Sequence, residues 1–353
     1  MVAPVVPDVA RFSPPVPGIV FRGFAGIDAD IPGMAEVARR ARLASGEIEP
    51  VDEAEMRASY AHLERSDPAR DVLVAELEGA IVGYSRVEWG DTNDGERYYD
   101  GFCFLGPEAR RRGIGRAMLA WNEARRRAIA ADHVAAGHGL DRPRWLTTFA
   151  FDGDPGAAVL LRSAGYAPFR RFYSMVRPDL EAIPDAPLPG GIEIRPIARD
   201  RAAMRQVFDA DSEAFRDHFG WVSGSDDAFA AFVEDPSTDP SLWLVGFDGD
   251  DVAGAVLNGI HGGIDGRPAE GWLDSVFTRR PWRRRGLARA LIVRSLFLLR
   301  EHGLTSASLG VDAQNPNQAL HLYESCGFRV ASSSTAYRKP VADGPAADRR
   351  GIR

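Results

Sequence analysis

Two runs of this chain place arginine and glycine where a phosphate could be held. One is Arg283-Arg284-Arg285-Gly286-Leu287-Ala288-Arg289, the other Arg110-Arg111-Arg112-Gly113-Ile114-Gly115-Arg116. Both read R-x-x-G-x-(G/A), and both run into amphipathic helical spacing. A glycine turn just before a helix points free backbone N–H groups and the positive end of the helix dipole at an anion. Small residues such as Gly286 and Ala288 let a ligand approach the backbone closely. A P-loop would need Gly-Lys-Ser/Thr after the turn, and a dinucleotide site would need G-x-G-x-x-G. Neither run has either.

A second constellation spans Asn315 to Phe328. Asn317, or Asn315 before the proline, can cap a helix there. Gly327 can end it in the left-handed conformation. Ala319, Leu322 and Tyr323 share one helix face. On an isolated helix that spacing would make Tyr323 a half-buried core residue.

These residues need elements to carry them, and the carrier is a repeat. Gly113 and Gly286 stand 173 residues apart, and so do Arg22 and Arg195, each just after a short apolar run. That period is too long for a solenoid unit and suits a whole domain. The fold expected is α/β, with two tandem domains, each a central mixed β-sheet flanked by helices. Residues 1–17 read as a disordered Pro-rich arm and 18–177 as the first domain. Residues 178–190, with four prolines, read as a linker. The second domain follows at 191–339, and 340–353 is a flexible tail. In the second domain the spacing predicts strands at 192–197, 242–247, 252–260, 271–277, 305–311 and 328–337. It predicts helices at 201–215, 228–233, 286–302 and 316–326.

Composition excludes several classes. The chain has 353 residues, 26% of them charged, and a net charge of −7, which argues against broad nucleic-acid binding. No run approaches the roughly 18 apolar residues of a membrane helix. The first 17 residues lack the pattern of a signal peptide, so a cytoplasmic location is expected. Cys103 and Cys326 are the only cysteines and lack metal-ligand spacing, so two buried thiols and no metal are expected.

The segment from Trp272 to Val330 resembles the GNAT superfamily of acyl-CoA-dependent N-acetyltransferases. It carries the pyrophosphate motif (Arg283, Gly286, Ala288) and the later motif built on Asn317, Ala319, Tyr323, Gly327 and Phe328. Ala319 lies one residue nearer than the family spacing. The first half matches the pyrophosphate motif and the overall plan. The layout is similar to the tandem type that includes the mycothiol synthases.

The resemblance implies acetyl-CoA as acyl donor, with no metal, and direct attack by an amine. Val276, Phe277 and Thr278 would meet the pantetheine arm. Arg283 through Arg289, with Asn315 and Asn317, would hold the CoA. Arg110, Arg112, Gly113 and Gly115 would form a second cradle. Tyr323 would protonate the leaving thiolate. An amine also needs a base. Strand alternation puts Glu270, Trp272 and Asp274 on one face, so Asp274 is the expected base and Glu270 the reserve. The base of mycothiol synthases is a strand glutamate. Trp272 stands at that place here, a departure that bears on both mechanism and acceptor. Phe215, His218, Phe219 and Trp221 would line the acceptor site.

Aligning Gly165-Tyr166 with Gly327-Phe328 sets Leu161 opposite Tyr323. A leucine cannot donate a proton, so the first domain reads as degenerate and the second as catalytic. The expected function is acetylation of a small-molecule primary amine. A protein N-terminal or lysine acetyltransferase and a non-catalytic acyl-CoA sensor are the alternatives. Neither nucleic acid nor membrane is an expected partner. Tandem domains that mimic a dimer would let the chain act as a monomer.

Overall fold

The structure is a computed structural model that describes residues 8–93, 95–221, 224–262, 269–315 and 319–341. The first half contains β1 (Ile19–Gly23), α1 (Ile27–Ala44), α2 (Glu53–Ala61), α3 (Pro68–Asp71), β2 (Val72–Leu77) and β3 (Ala80–Asp91). It continues through β4 (Arg97–Leu105), α4 (Ile114–Ala135), β5 (Arg144–Phe151), α5 (Pro155–Ser163) and β6 (Ala167–Arg177). The second half repeats the plan. It has β7 (Ile192–Arg195), α6 (Arg201–Phe215), α7 (Asp226–Glu234), β8 (Leu244–Asp248), β9 (Asp251–Gly262) and β10 (Ala269–Thr278). It ends with α8 (Leu287–Glu301), β11 (Ala307–Asp312), α9 (Ala319–Ser325) and β12 (Arg329–Pro340).

Contacts divide the chain into two compact units, which part at residues 171/172 and 332/333. The first unit's sheet runs β1-β2-β3-β4-β5-β12, and the second unit's β7-β8-β9-β10-β11-β6. Each is antiparallel except for one parallel pair, β4 with β5 and β10 with β11. The last strand of each unit comes from the other half of the sequence. Residues 334–340 of β12 pair with β5, and residues 172–177 of β6 pair with β11. The sequence reading left each of these strands in its own half. Alternating spacing reveals a strand but says nothing about which edge it joins.

The second unit has a core on each face of its sheet. Leu287, Leu291, Leu296 and Leu299 of α8 pack with Leu273, Leu309 and Val311 on one face. Met204, Val207 and Ala214 of α6 pack with Val245, Leu257 and Phe277 on the other. Each large aliphatic side chain buried this way contributes roughly 1.5–3 kcal/mol. The linker is irregular but docked. Leu180 and Ala186 are buried against the α8 face, and Arg294 donates to the Ala186 carbonyl at 2.8 Å. Four prolines hide this in the sequence, because docking needs only two apolar side chains.

Residues 8–17, expected to be disordered, also pack. Val9, Phe12 and Val16 lie on the first unit's core, and the Phe21 N–H donates to Ser13 Oγ at 3.3 Å. Residues 1–7 and 342–353 lie outside the described residues. Cys326 is buried as expected, but Cys103 is exposed. Among the described residues no helix is long and apolar enough to cross a membrane.

Candidate active site

The turn before α8 is built to leave N–H groups open. Arg284 has φ 63° and Gly286 has φ 85°, so two left-handed residues bend the chain into the helix. Successive N–H groups in such a turn converge on an anion. Gly286 caps α8 without a side chain, and the first turn holds no acid. The first unit repeats this with Arg111 at φ 62° and Gly113 at φ 86° before α4. The contrast with the other helices is informative. Asp52, Asp154, Asp200 and Ser225 cap α2, α5, α6 and α7 with side-chain oxygens. Helix α1 lacks a cap but carries Asp28 and Asp30 in its first turn. Among the α-helices whose N-caps are described, α4 and α8 lack both devices. The first N–H groups of a helix need partners from outside it.

The motif's side chains divide into two kinds. Arg283 is occupied by protein. Its guanidinium donates to the Thr278 carbonyl at 2.9 Å, to Asp217 at 3.0 Å and to the Ala214 carbonyl at 3.0 Å. It therefore ties the turn to the end of α6. Arg110 does a similar job, donating to the Leu105 carbonyl at 3.3 Å and pairing with Asp154 at 3.2 Å. Arg284, Arg285 and Arg112 are exposed, and Arg289 donates to the Asp185 carbonyl at 3.1 Å. Leu287 is buried, anchoring the turn in the core. Ala288 and Gly115 are half-buried, the latter beside Leu105 and Leu160.

A gap opens next to this cradle. β10 pairs with β11 only at Gly271–Ala307 and Trp272–Ser308, yet it runs on to Thr278. On its other side it stays paired with β9, with one extra residue, Asp274, inserted after Leu273. Such a bulge bends and twists the strand. From Leu273 to Thr278 one edge of β10 thus lacks a pairing strand. Its backbone groups can bond an extended, amide-bearing ligand. Val276 faces the α8 core and Phe277 is buried in the α6 core, so both side chains are used to hold the strand.

Tyr323 reaches the same α8-face core that contains Val276 of β10 and Val311 of β11. It is 7% exposed, and burial pushes its phenol up, so it keeps its proton at neutral pH. Gly327 ends α9 at φ 88°, and a Cβ there would clash with Arg177 Nη1. Asn315 lies in the turn after β11, its N–H bonded to the Asp312 carbonyl at 3.1 Å. Asn317 lies outside the described residues.

The carboxylates have separate partners. Asp274 is exposed and stands 3.0 Å from His261 Nε2. Glu270 accepts from Ser308 Oγ at 2.7 Å, and Trp272 is buried with its ring steeply inclined to that of His261, centroids 6.1 Å apart. Two acids were missed in the sequence. Asp211 on α6 accepts from Ser275 Oγ at 2.5 Å, and burial raises its carboxyl to about 6. Its signal was its place on the stripe Met204, Val207, Asp211, Ala214, where an apolar residue would fit. Asp217 pairs with Arg280 and Arg283, which hold its carboxyl far below the usual range. That tie draws the loop after α6 toward the cradle turn. Phe215, at the end of α6, and His218 in this loop lie with ring centroids 4.3 Å apart and tilted by 55°, and Phe219 and Trp221 are half-buried.

Comparison with known proteins places these features. The family model described as "Acetyltransferase (GNAT) family" matches residues 34–141 and again 204–328. A protein named mycothiol acetyltransferase from Geodermatophilus obscurus is 30% identical over 344 residues, covering 96% of this chain and 98% of its own length. A protein of the same name from Thermomonospora curvata is 30% identical over 280 residues, covering 78% and 84%. Among solved structures, the GCN5-related N-acetyltransferase from Sphaerobacter thermophilus superposes with TM-score 0.70 at 22% identity, covering 94% of this chain and 98% of that one. A tandem GNAT protein from the clavulanic acid biosynthesis pathway gives TM-score 0.64 at 18% identity, covering 93% and 100%.

Proposed function

The chain belongs to the GNAT family of acetyltransferases and is an acetyl-CoA-dependent enzyme, and on that premise we propose that it acetylates the primary amine of a small molecule, with the chemistry in the second unit. The observation that carries this reading is the uncapped start of α8 beside the free edge of β10, with Tyr323 in the core that α8 and β10 share. The cradle would take the pyrophosphate of acetyl-CoA. The exposed Arg284 and Arg285 would add charge around it. The pantetheine arm would pair along residues 273–278, which brings the thioester to the bulge.

The acceptor nitrogen attacks the thioester carbon, the C–N bond forms and the C–S bond breaks. Tyr323 gives its proton to the departing sulfur and recovers one from water, while the nitrogen, positively charged after attack, gives up a proton to water as the amide forms. No enzyme nucleophile is needed, because holding both reactants in place supplies much of the acceleration. The loop Phe215–Trp221, drawn in by Asp217, favours a compact acceptor over a polypeptide. The names of the relatives above agree with a small acceptor.

The test is to mix the protein with acetyl-CoA and a panel of small primary amines and follow free thiol. The expected result is saturable CoA release that requires an amine. Release only with peptide amines, or with none, would overturn the reading.

A further inference from the structure

Helix α6 carries three carboxylates, Asp209, Asp211 and Glu213. Residues four apart share a helix face, and the one midway between them points elsewhere. Asp209 pairs with Arg205 at 2.8 Å and Glu213 with Arg279 at 2.7 Å. Asp211 is half-buried and falls instead in line with the buried Met204, Val207 and Ala214, bonded to Ser275 of the sheet. Among the described residues its hydrogen-bond partner is the Ser275 hydroxyl, and no cation adjoins it. A half-buried carboxylate withdrawn from water without a countercharge is costly.

The location gives that cost a use. Ser275 is the first residue after the bulge, inside the stretch of β10 that has parted from β11. The thioester arrives there on the reading proposed above. At the repeat offset of 173 residues the first unit holds Ala38 and Phe102, both apolar, in place of Asp211 and Ser275. The pair is therefore not demanded by the architecture.

We propose that Asp211 receives the acceptor's ammonium and takes its proton before attack. This rests on the acetyl-transfer reading above. The ammonium supplies the missing positive charge at the carboxylate. Its proton passes to Asp211 Oδ, the freed nitrogen lone pair attacks the thioester carbon, and Asp211 later releases the proton to water. Ser275 is a positioning residue that fixes one carboxylate oxygen and leaves the other for the substrate.

The other titratable groups on the packed elements are engaged elsewhere. On β10, Asp274 faces His261 of β9 and Glu270 accepts from Ser308. On α7, Asp226 pairs with Arg205. Arg279, at the end of β10, binds Glu213 and also lies 3.9 Å from Asp251 of β9. Asp227 and Glu234 of α7 are the remaining acids on these elements, and Arg201 of α6 lies over the Phe229 ring.

Two measurements test the proposal. In the first, kcat/KM for the best amine of the panel is followed against pH in the wild type, Asp211→Asn and Asp209→Asn. Asp211→Asn is expected to lose 10²-fold or more, the usual scale of a lost general base. It should also lose the acidic limb of the profile and keep wild-type acetyl-CoA binding by calorimetry. Asp209→Asn should match the wild type. A wild-type rate and limb in Asp211→Asn, or a limb that vanishes with Asp274→Asn instead, would overturn it. In the second, ¹³C-carboxyl-labelled protein is titrated by NMR with and without ethylammonium. One carboxyl absent from Asp211→Asn should titrate near 6 and move down when ethylammonium is added. No movement would overturn the proposal, whereas a wild type inert to every amine would overturn the transfer reading alone.

Discussion

The two units share a cradle and differ at nearly every position where chemistry would occur. Both enter their long helix through a left-handed glycine with no cap and no acid. Both part their two parallel strands beyond a short paired stretch. Beyond that they diverge. β10 carries a bulge at Asp274, whereas β4 pairs with β3 without interruption from Arg97 to Leu105. Leu161 is buried where the second unit has Tyr323. Phe102, Phe104, Phe149 and Phe151 cluster on β4 and β5 with ring centroids 5.3–6.2 Å apart. The corresponding stretch of β11 contains the exposed Gly310. Phosphate binding needs only backbone geometry, so it survives drift in side chains. Proton transfer needs particular side chains and a strand bent to receive the substrate. The first unit keeps the uncapped glycine turn and carries aromatic packing on β4 and β5, whereas the second has a bulged β10.

That comparison can be broken at the helix ends. Gly165 and Gly327 both sit at φ near 87°, but a Cβ at Gly165 would meet only Lys339 at 3.7 Å. At Gly327 it would strike the buried Arg177 guanidinium, which donates to the Cys326 and Ala182 carbonyls. Gly327→Ala should therefore cost about 3 kcal/mol or more, from strain plus the disrupted bonds. Gly165→Ala should cost roughly 1–2 kcal/mol, the backbone strain alone. Denaturant unfolding of the two variants checks the order, and equal losses would remove the asymmetry.

A second difference appears in pH dependence. Burial raises Asp211 from 3.8 to about 6 in the fold, so the folded state holds its proton more tightly than the unfolded chain. That stabilisation is complete below pH 3.8 and is lost as pH rises through about 6. Asp211→Asn should therefore gain stability over the wild type between pH 4 and 7, by roughly 3 kcal/mol at the upper end. Ala38, at the same repeat position, has no such group to titrate. Unfolding curves with no pH-dependent difference would show that Asp211 keeps its hydration in the fold.

The cradles themselves should respond alike. Asparagine tolerates the left-handed conformation and is neutral, while aspartate adds a charge. Gly286→Asp should weaken acetyl-CoA binding about 10-fold relative to Gly286→Asn, through repulsion at the helix start. Calorimetry on that pair sharpens the assignment. The same substitutions at Gly113 report whether the first unit also takes a nucleotide.

What the sequence revealed follows from what each feature depends on. The glycine turns before α4 and α8, the helix ended at Gly327 and the order of elements rest on local spacing, so they could be read directly. The exchange of β6 and β12 rests on pairing between residues more than a hundred positions apart. The docked linker depends on Leu180 and Ala186 finding the α8 face. Asp211 was hidden for another reason. A helix stripe is read by its apolar members, and an acid within it looks like a break in the pattern. Arg283 showed the reverse error. Its place in the motif suggested a phosphate ligand, but its three hydrogen bonds go to protein.

On the reading proposed above, the second unit alone does the chemistry. The direct measurement is kcat for acetyl transfer, with one amine, in the wild type, Tyr323→Phe and Leu161→Met. Tyr323→Phe should lower kcat roughly 10²-fold or more by removing the proton donor, with acetyl-CoA affinity unchanged. Leu161→Met should leave kcat near the wild-type value. Equal losses in the two variants, or none in Tyr323→Phe, would contradict the account.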